Sequence, residues 1–193
     1  MKEVFYEESA EIQNKKSATI KFNLVKTCSI VSYVFLVIWC VIVLTVYPLS
    51  GSVLVDLIGI LLPMLAFIPS GIIFGRLKNR FYIEYDYTFV SGSLRISKII
   101  KNVKRKAVVN FDVSSIEKLG KYGSNTYTKY EIMPGINKLF LTSNTESAEG
   151  KEFYYLVVNY SGDKKLLILE CTETLMVNIL KFANKTIIEE DFK

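Results

Sequence analysis

The chain has 193 residues, half of them hydrophobic, and carries 24 Lys or Arg against 19 Asp or Glu, which gives a net charge of +5. The basic excess belongs to residues 76–193, where 19 Lys or Arg stand against 14 Asp or Glu, and beside a bilayer such an excess indicates attraction to anionic headgroups. The absence of histidine excludes every catalytic or metal-binding scheme that needs an imidazole, and three cysteines without a disulfide framework are typical of a reducing compartment.

Residues 1–27 are predicted to be a cytoplasmic N-terminal segment. Val4, Phe5 and Ile12 would share one side of a short helix, which suggests an interfacial anchor or a contact for a partner. The alternative is a partly ordered tail. The apolar run that follows begins only at Cys28, too far from the N-terminus for a secretory signal peptide, so we expect this run to be retained.

Two long apolar runs dominate residues 28–75 and predict a transmembrane helical hairpin. The first run, at about 28–47, has no charged residue in 20 positions, and the second, at about 53–75, has only Asp56. About 20 helical residues cross the hydrocarbon layer of a bilayer, which is about 30 Å thick. The lipid bilayer is therefore the first predicted partner of the chain.

The charges that flank the hairpin predict its orientation. Four lysines between residues 15 and 26 precede the first run, and Arg76, Lys78 and Arg80 follow the second, whereas the turn at 48–52 has neither Lys nor Arg. Positive residues close to a span stay on the cytoplasmic side. We therefore expect a multi-pass protein of the cell membrane with both termini in the cytoplasm.

Few residues inside the hairpin suggest a role beyond anchoring. Asp56 has the chemistry of an ion or proton site, but it lies about one turn from the outer end of the second run, where a carboxylate can reach the headgroups. Gly71 and Gly75 form a small-xxx-small pattern, which lets two helices approach closely. This pattern fits either packing against the first run or a contact between two copies of the chain.

Residues 76–193 are predicted to form a cytoplasmic β domain. From Tyr82 to Phe89 apolar and polar side chains alternate, and Ser91-Gly92 predicts a tight turn into a second strand at 94–100. The same kind of pattern predicts five further strands, at 107–113, 127–133, 138–143, 153–160 and 165–171. Seven short strands at this spacing indicate an antiparallel sandwich or an open barrel.

The last predicted element is an amphipathic helix at 172–185. Thr172 can cap this helix. Its apolar face would contain Leu175, Met176, Ile179, Leu180 and Ala183. The predicted fold is therefore an α+β membrane protein, in which a two-helix transmembrane hairpin precedes a seven-stranded antiparallel barrel or sandwich with a C-terminal capping helix.

This order of elements resembles a pleckstrin-homology (PH)-like domain, and the chain resembles a bacterial family of two-span membrane proteins with a PH-like cytoplasmic domain. The resemblance rests on Glu84 to Phe89, Gly92 to Ile96, the basic run Lys104-Arg105-Lys106, and Asp112 to Ile116. It covers nearly the whole chain. It implies a fold and a location, and it brings no particular activity.

The densest group of cations provides the candidate binding residues. It contains Lys98, Lys101, Lys104, Arg105 and Lys106. On a strand Lys104 and Lys106 would share one face and Arg105 would take the other, so the group is expected at a hairpin tip. It is interpreted as a site for anionic lipid headgroups or an acidic partner, and the alternative is a solvated loop. The first hairpin loop, Val90-Ser91-Gly92, lacks the cations that eukaryotic phosphoinositide-binding PH domains place there.

Other motifs do not predict catalysis, a cofactor, a metal or nucleic acid. The glycines in 118–127 lack the following helix and Lys-Ser/Thr pair of a phosphate-binding loop, so this stretch is predicted to be a flexible loop. Tyrosines of the β domain fit half-buried strands better than base stacking. Glu146, Glu149 and Glu152 lie in a polar segment without a recognisable nucleophile. We expect no enzyme activity.

These patterns together predict a membrane-anchored binding or scaffold module that recruits or assembles partners at the inner leaflet. The expected partners are the lipid bilayer, a protein or a second copy of the chain, and anionic headgroups. The alternative is an accessory or regulatory subunit of a membrane transport or export complex, in which the hairpin would make the specific contacts.

Overall fold

A computed structural model describes residues 3–45, 52–101, 103–183 and 187–188 of the chain. The chain divides into two compact units. The β unit combines Met1–Gln13 with Ile83–Lys193, and the helical unit is Asn14–Tyr82. The predicted boundary at residue 76 therefore differs from the division by contacts, because the N-terminal residues belong with the C-terminal part of the chain.

The helical unit contains α1 (Lys15–Thr45) and α2 (Val53–Leu77), both long and apolar enough to cross a membrane. Helix α1 begins well before the predicted start at Cys28, since Asn14 caps it: the Asn14 side-chain oxygen accepts a hydrogen bond from the Ser17 backbone N–H at 3.0 Å. Helix α2 continues through Pro63 and Pro69. The predicted end of the first span at 46–47 and most of the predicted turn lie outside the described residues.

The β unit contains eight described strands and two further helices. The strands are β1 (Phe5–Ala10), β2 (Ile83–Val90), β3 (Ser93–Ile100), β4 (Lys104–Asp112), β5 (Ile116–Lys121), β6 (Asn137–Phe140), β7 (Glu152–Tyr160) and β8 (Asp163–Cys171). The helices are α3 (Asn125–Glu131) and α4 (Glu173–Phe182). One sheet has the order β1-β2-β3-β4 and the other β5-β7-β8-β6. All pairs are antiparallel except β6 with β8, which corrects the fully antiparallel prediction.

Strand β1 is the largest departure from the sequence-based expectation. Phe5–Ala10 is neither a short helix nor a tail: it pairs with β2 along its whole length, from Phe5 opposite Val90 to Ala10 opposite Tyr85. Helices α1 and α2 follow β1 and precede β2 in the chain. The hairpin of helices is thus an insertion between two neighbouring strands of one sheet, and not an N-terminal addition to a finished domain.

The core of the β unit lies between the two sheets and is closed by α4. Tyr87, Phe89, Leu94 and Ile96 contribute from the first sheet, and the alternate residues of β7 and β8 from the second. Leu175, Met176 and Ile179 of α4 are fully buried against them. The alternation that predicted β2 and the 3.6-residue period that predicted α4 are confirmed, although α4 begins at Glu173 and 184–186 lie outside the described residues.

The strand predicted at 127–133 is wrong, because this segment forms helix α3. Ser124 caps the helix by accepting a hydrogen bond from the Tyr127 backbone N–H at 3.1 Å, and Tyr127 and Tyr130 then face the same side. Helix α3 covers a second apolar cluster on the outer face of the second sheet, made of Tyr127, Tyr155, Val157, Leu166 and Ile168. The predicted loop at 118–127 is also corrected in part, since Ile116–Lys121 forms β5.

Candidate binding surfaces

The predicted basic group gathers where β3 and β4 meet. Lys98 lies on β3 directly opposite Lys106 on β4, and Lys104 lies two residues from Lys106 on the same face of the strand. Lys101 lies in the turn between the strands, with a positive φ of 47°. The structure therefore brings the predicted residues to one end of the first sheet.

Arg105 has a different role from the lysines beside it. Its guanidinium donates a hydrogen bond to Asp86, whose side chain is only 5% exposed, and lies 3.8 Å from Glu7. A buried carboxylate requires a partner of this kind. Arg105 is therefore part of the sheet's own structure. Lys101 lies in the turn and not on a strand, so the candidates that share a strand face are the three lysines that we call the basic row: Lys98, Lys104 and Lys106.

The charges of the basic row lack partners within the described residues, where none of the three lysines forms an ion pair. Lys104 and Lys106 are exposed, and Lys98 is half-buried. Like charges placed directly opposite each other on paired strands repel. An anion that contacts Lys98 and Lys106 together would remove this repulsion, so the row has the chemistry of an anion-binding surface.

Gly71 and Gly75 lie on the side of α2 that packs against α1. A Cβ on Gly71 would come within 2.7 Å of the Tyr33 ring, and one on Gly75 within 3.4 Å of Ser29 Oγ. The Ser29 hydroxyl donates a hydrogen bond of 2.8 Å to the Gly71 carbonyl. The small residues thus allow close packing of α1 and α2 within one chain.

A second surface, which the sequence did not predict, lies on the outer face of the second sheet. Helix α3 covers one part of this face, and the segment after β6 covers another. Between them lies a groove of about 350 Å³. We call it the aromatic groove; it is lined by Tyr122, Phe140, Thr142, Ser143, Asn144, Thr145, Phe153 and Ile168.

One buried carboxylate holds the wall of the aromatic groove in place. Glu170, fully buried on β8, accepts hydrogen bonds from the Thr142 hydroxyl at 2.5 Å, the Asn144 amide at 2.7 Å and the Ala148 backbone N–H at 2.9 Å. These three donors belong to the segment 141–151, which we call the rim loop. Glu170 therefore fixes a loop that has little regular structure of its own.

The rim loop is also tied to the segment that follows β1. The Asn144 side chain donates to the Glu11 carbonyl at 2.8 Å and accepts from the Gln13 backbone N–H at 3.1 Å. The Gln13 side chain donates to the Glu146 carbonyl at 2.8 Å. The N-terminal segment therefore supports the groove wall as well as the edge of the first sheet.

The sequence model of one family, described as a bacterial PH-like domain (DUF6106), matches residues 5–189. The chain belongs to this bacterial PH-like domain family. The match begins with β1 and extends past α4, so the family domain includes the inserted helices. No curated protein and no solved structure matches the chain. The resemblance seen in the sequence is confirmed, and membership in a PH-like family supports a binding or scaffold module.

In this PH-like protein a cluster of rings borders the aromatic groove. Tyr122 lies 4.6 Å from Tyr127 and 6.0 Å from Phe153, measured between ring centroids. The Lys138 ammonium lies 4.9 Å from the centroid of the Phe140 ring and bonds to Glu131 of α3. The Tyr127 hydroxyl donates a hydrogen bond of 3.0 Å to Glu131, and burial raises its pKa to about 12.

Two acidic residues of the rim loop differ in their ion pairing from the other carboxylates near the groove of this PH-like protein. Glu146 and Glu149 are exposed, and among the described residues neither forms an ion pair. The sequence had placed them in a polar segment without a function. The one sequence signal for the groove was Glu170, a charged residue inside the otherwise apolar run 166–171. A buried acid at such a position indicates hydrogen-bond donors from a neighbouring segment.

Proposed function

We propose that this PH-like protein is a membrane-anchored, non-enzymatic binding module that recruits or assembles partners at the inner leaflet of the cell membrane. One observation carries the proposal: two apolar helices of spanning length are inserted between strands β1 and β2, which pair with each other. The insertion ties the β unit to the membrane segment by two connections. A module held in this way meets membrane-bound partners at a raised effective concentration.

The pairing of β1 with β2 supports a topology in which both ends of the helical pair lie on the same side of the bilayer. The strand that precedes α1 and the strand that follows α2 are neighbours in one sheet, with Ala10 opposite Tyr85. A folded β unit can form only if both connections emerge on the same side of the bilayer. Two spans satisfy this requirement, whereas one span would not.

The flanking charges support the cytoplasm as that side. Lys15, Lys16, Lys21 and Lys26 belong to the first half of α1, and Arg76, Lys78 and Arg80 follow the apolar part of α2. The basic row adds to this proposal, because each cation near an anionic leaflet contributes about 1 kcal/mol of attraction. The partner recruited there is a protein or a second copy of the chain.

Cysteine labelling in intact cells tests the location. The natural Cys171 is a poor reporter because it is fully buried, and burial raises the pKa of its thiol well above the usual value. We therefore expect Ser147→Cys, in the exposed rim loop, to react with an impermeant maleimide only after lysis. Ser52→Cys, at the end of the predicted outer turn, is the matched control and should react in intact cells. Labelling of Ser147→Cys from outside would overturn the proposed location.

An exchange of the anchor tests the function against the alternative of an accessory subunit. Replacing 14–82 by an unrelated two-span hairpin keeps β1, which a cut at residue 75 would remove. If the β unit carries the function, the exchanged chain should retain the partners that affinity purification in mild detergent and mass spectrometry find for the parent. Loss of these partners from a folded exchanged chain would favour specific contacts by the native helices and the role of an accessory subunit.

A further inference from the structure

The aromatic groove is an incompletely covered part of the second sheet's outer face. Its floor is Ile168 of β8 and Phe153 of β7, and its sides are Tyr122 and Phe140. Phe140 is 51% exposed and Tyr122 is 41% exposed, although both belong to a face that α3 otherwise buries. Binding pockets combine such an apolar floor with a few polar groups, and a volume of about 350 Å³ accommodates one or two large side chains.

The polar side of the groove is preorganised. Thr142 and Asn144 line it while their hydroxyl and amide groups are held by Glu170. Ser143 is held as well, since its hydroxyl donates to the Ile83 carbonyl at 2.7 Å. A wall that is already fixed loses little conformational entropy when it binds a ligand, which raises affinity.

The charge beside the groove indicates the sign of the charge that a ligand would carry. Thr145 ends the polar side, and Glu146 and Glu149 follow it in the rim loop, exposed and without ion pairs among the described residues. The cations at the groove are already engaged: Lys138 bonds to Glu131, and Lys121 lies 2.7 Å from Glu152. In the rim loop itself the one cation, Lys151, pairs with Glu8, so the unpaired charge of the rim loop is negative and is complementary to Lys or Arg on a ligand.

We propose that the aromatic groove binds the basic, aromatic-containing juxtamembrane segment of a second membrane protein. The inference rests on the proposed anchoring at the inner leaflet and names the partner class. Four residues separate β1 from α1 and five separate α2 from β2, so neither connection can extend more than about 20 Å. A module attached to a spanning hairpin by two short connections stays near the inner leaflet, where it meets the cytoplasmic flanks of other spans, which are enriched in Lys, Arg, Trp and Tyr.

Each property of such a segment has a counterpart at the groove. A Trp or Tyr side chain packs on Ile168 and Phe153 between the rings of Tyr122 and Phe140, and such contacts dominate the energetics of peptide recognition. Neighbouring Lys or Arg side chains pair with Glu146 and Glu149. Backbone N–H groups of the segment donate to the lone pairs that remain on the wall hydroxyls, since the hydrogens of these hydroxyls are already donated to Glu170 and to the Ile83 carbonyl.

Peptide binding to the full chain tests the proposal. The chain is placed in nanodiscs of zwitterionic phosphatidylcholine, and the probe is a fluorescein-labelled nine-residue peptide with two tryptophans, five lysines or arginines, and serine elsewhere. Two matched peptides replace each tryptophan by alanine or each cation by glutamate. We expect saturable binding of the probe by fluorescence anisotropy, and affinity at least about tenfold weaker for both matched peptides. Empty nanodiscs measure adsorption to lipid.

Variants locate the binding site on the chain. Phe140→Ala should weaken binding about tenfold, and Glu146→Gln combined with Glu149→Gln should weaken it several-fold at low salt. Phe5→Ala removes the aromatic ring of a residue that is 68% exposed on the first sheet, and Glu3→Gln removes an exposed carboxylate, so these controls should leave affinity unchanged. Thr145→Trp fills the groove without removing a wall and should abolish binding, which covers the case that Phe140→Ala perturbs the fold.

Several outcomes would overturn the groove assignment. They are the absence of saturable binding to the parent chain, equal binding of the charge-reversed peptide, or equal losses for the groove variants and their controls. Failure here leaves the cysteine-labelling result untouched, since that result depends on the topology of the chain and not on the groove. A failed labelling experiment would instead remove the proposed function itself.

Discussion

The carboxylate of Glu8 on β1 accepts hydrogen bonds from both the backbone N–H and the hydroxyl of Thr172, the residue that precedes α4. The three distances are 2.9 Å and 3.2 Å from the N–H to the two carboxylate oxygens and 2.9 Å from the hydroxyl. The Lys151 ammonium lies 3.2 Å from the same carboxylate. Residues before the helical insertion thus complete the start of the last helix, which explains why β1 is an integral part of the β unit.

Replacement of Glu8 should be strongly destabilising. Its side chain is 7% exposed, so Glu8→Ala leaves the Thr172 N–H without its acceptor and the Lys151 ammonium without its carboxylate. We expect a loss of about 3 kcal/mol in the free energy of unfolding. Glu7→Ala on the same strand removes a side chain that is 43% exposed and should cost within about 0.5 kcal/mol. Chemical unfolding in detergent, followed by circular dichroism, measures both, and equal losses would contradict the assigned role.

Substitutions of Arg105 and of Lys104 should have different effects on the free energy of unfolding in the same measurement. Arg105→Ala strands the buried Asp86 carboxylate, and we expect a cost of about 3 kcal/mol, part of which Asp86→Asn should restore. Lys104→Ala, one residue away and exposed, should change stability by no more than about 0.5 kcal/mol. If Lys104→Ala proved as costly as Arg105→Ala, the division between a structural arginine and a binding row would be wrong.

Local patterns predicted the elements that local interactions determine. The helices α1 and α2 follow from uninterrupted apolar runs, and β2 with β3 from strict alternation around the Ser91-Gly92 turn. In that turn both residues have positive φ, 43° and 97°, as a two-residue hairpin requires. These features need no knowledge of distant residues, so one sequence was sufficient for them.

Non-local pairing accounts for what the sequence did not predict. Residues 5–10 carry two adjacent glutamates and no clear alternation, and their partner strand lies beyond the whole helical unit, so nothing nearby indicates a strand. Tyr127 and Tyr130 favour a strand by their residue type, but the segment forms a helix whose first turn is capped by Ser124. The aromatic groove combines residues from four separate stretches of the chain, and no single pattern could bring them together.

The basic row should become protected in an anionic membrane. Hydrogen–deuterium exchange of residues 103–108 should slow when phosphatidylglycerol replaces phosphatidylcholine in the nanodisc, because the headgroups neutralise Lys98, Lys104 and Lys106. The effect should fade at high salt, where the Debye length is only a few ångströms. Replacing all three lysines by glutamine should remove the difference, and Lys129→Gln on α3 should not. Equal protection in the two lipids would contradict the binding of anionic headgroups by the basic row.

Packing between α1 and α2 should depend on the small residue at position 71. Gly71→Leu would overlap the Tyr33 ring, which a Cβ alone would already approach to 2.7 Å, so the variant should weaken the helical pair. Tyr33→Ala should relieve part of that loss. Ser29→Ala removes the hydrogen bond to the Gly71 carbonyl and should cost about 0.6 kcal/mol, the average for such bonds in membranes. Unfolding by SDS, followed by the fluorescence of Trp39 on α1, measures these effects, and additivity of Gly71→Leu with Tyr33→Ala would contradict the contact.

The last prediction concerns the ion pair beside the aromatic groove. The Lys138 ammonium, and after it the Tyr127 hydroxyl, lower the pKa of Glu131 below its usual 4.5. Because the folded pKa is the lower one, the pair stabilises the fold fully above the unfolded pKa, and this contribution is lost as the pH falls through the folded pKa. Lys138→Met should return the pKa of Glu131 toward 4.5 in a carboxyl-detected NMR titration. The free energy of unfolding of this variant should therefore fall less steeply at acid pH than that of the parent. Lys129→Met, which removes an exposed cation of α3, should leave the pKa of Glu131 nearly unchanged. Equal shifts from the two variants would show that general charge, and not the Lys138 hydrogen bond, determines the titration of this carboxyl.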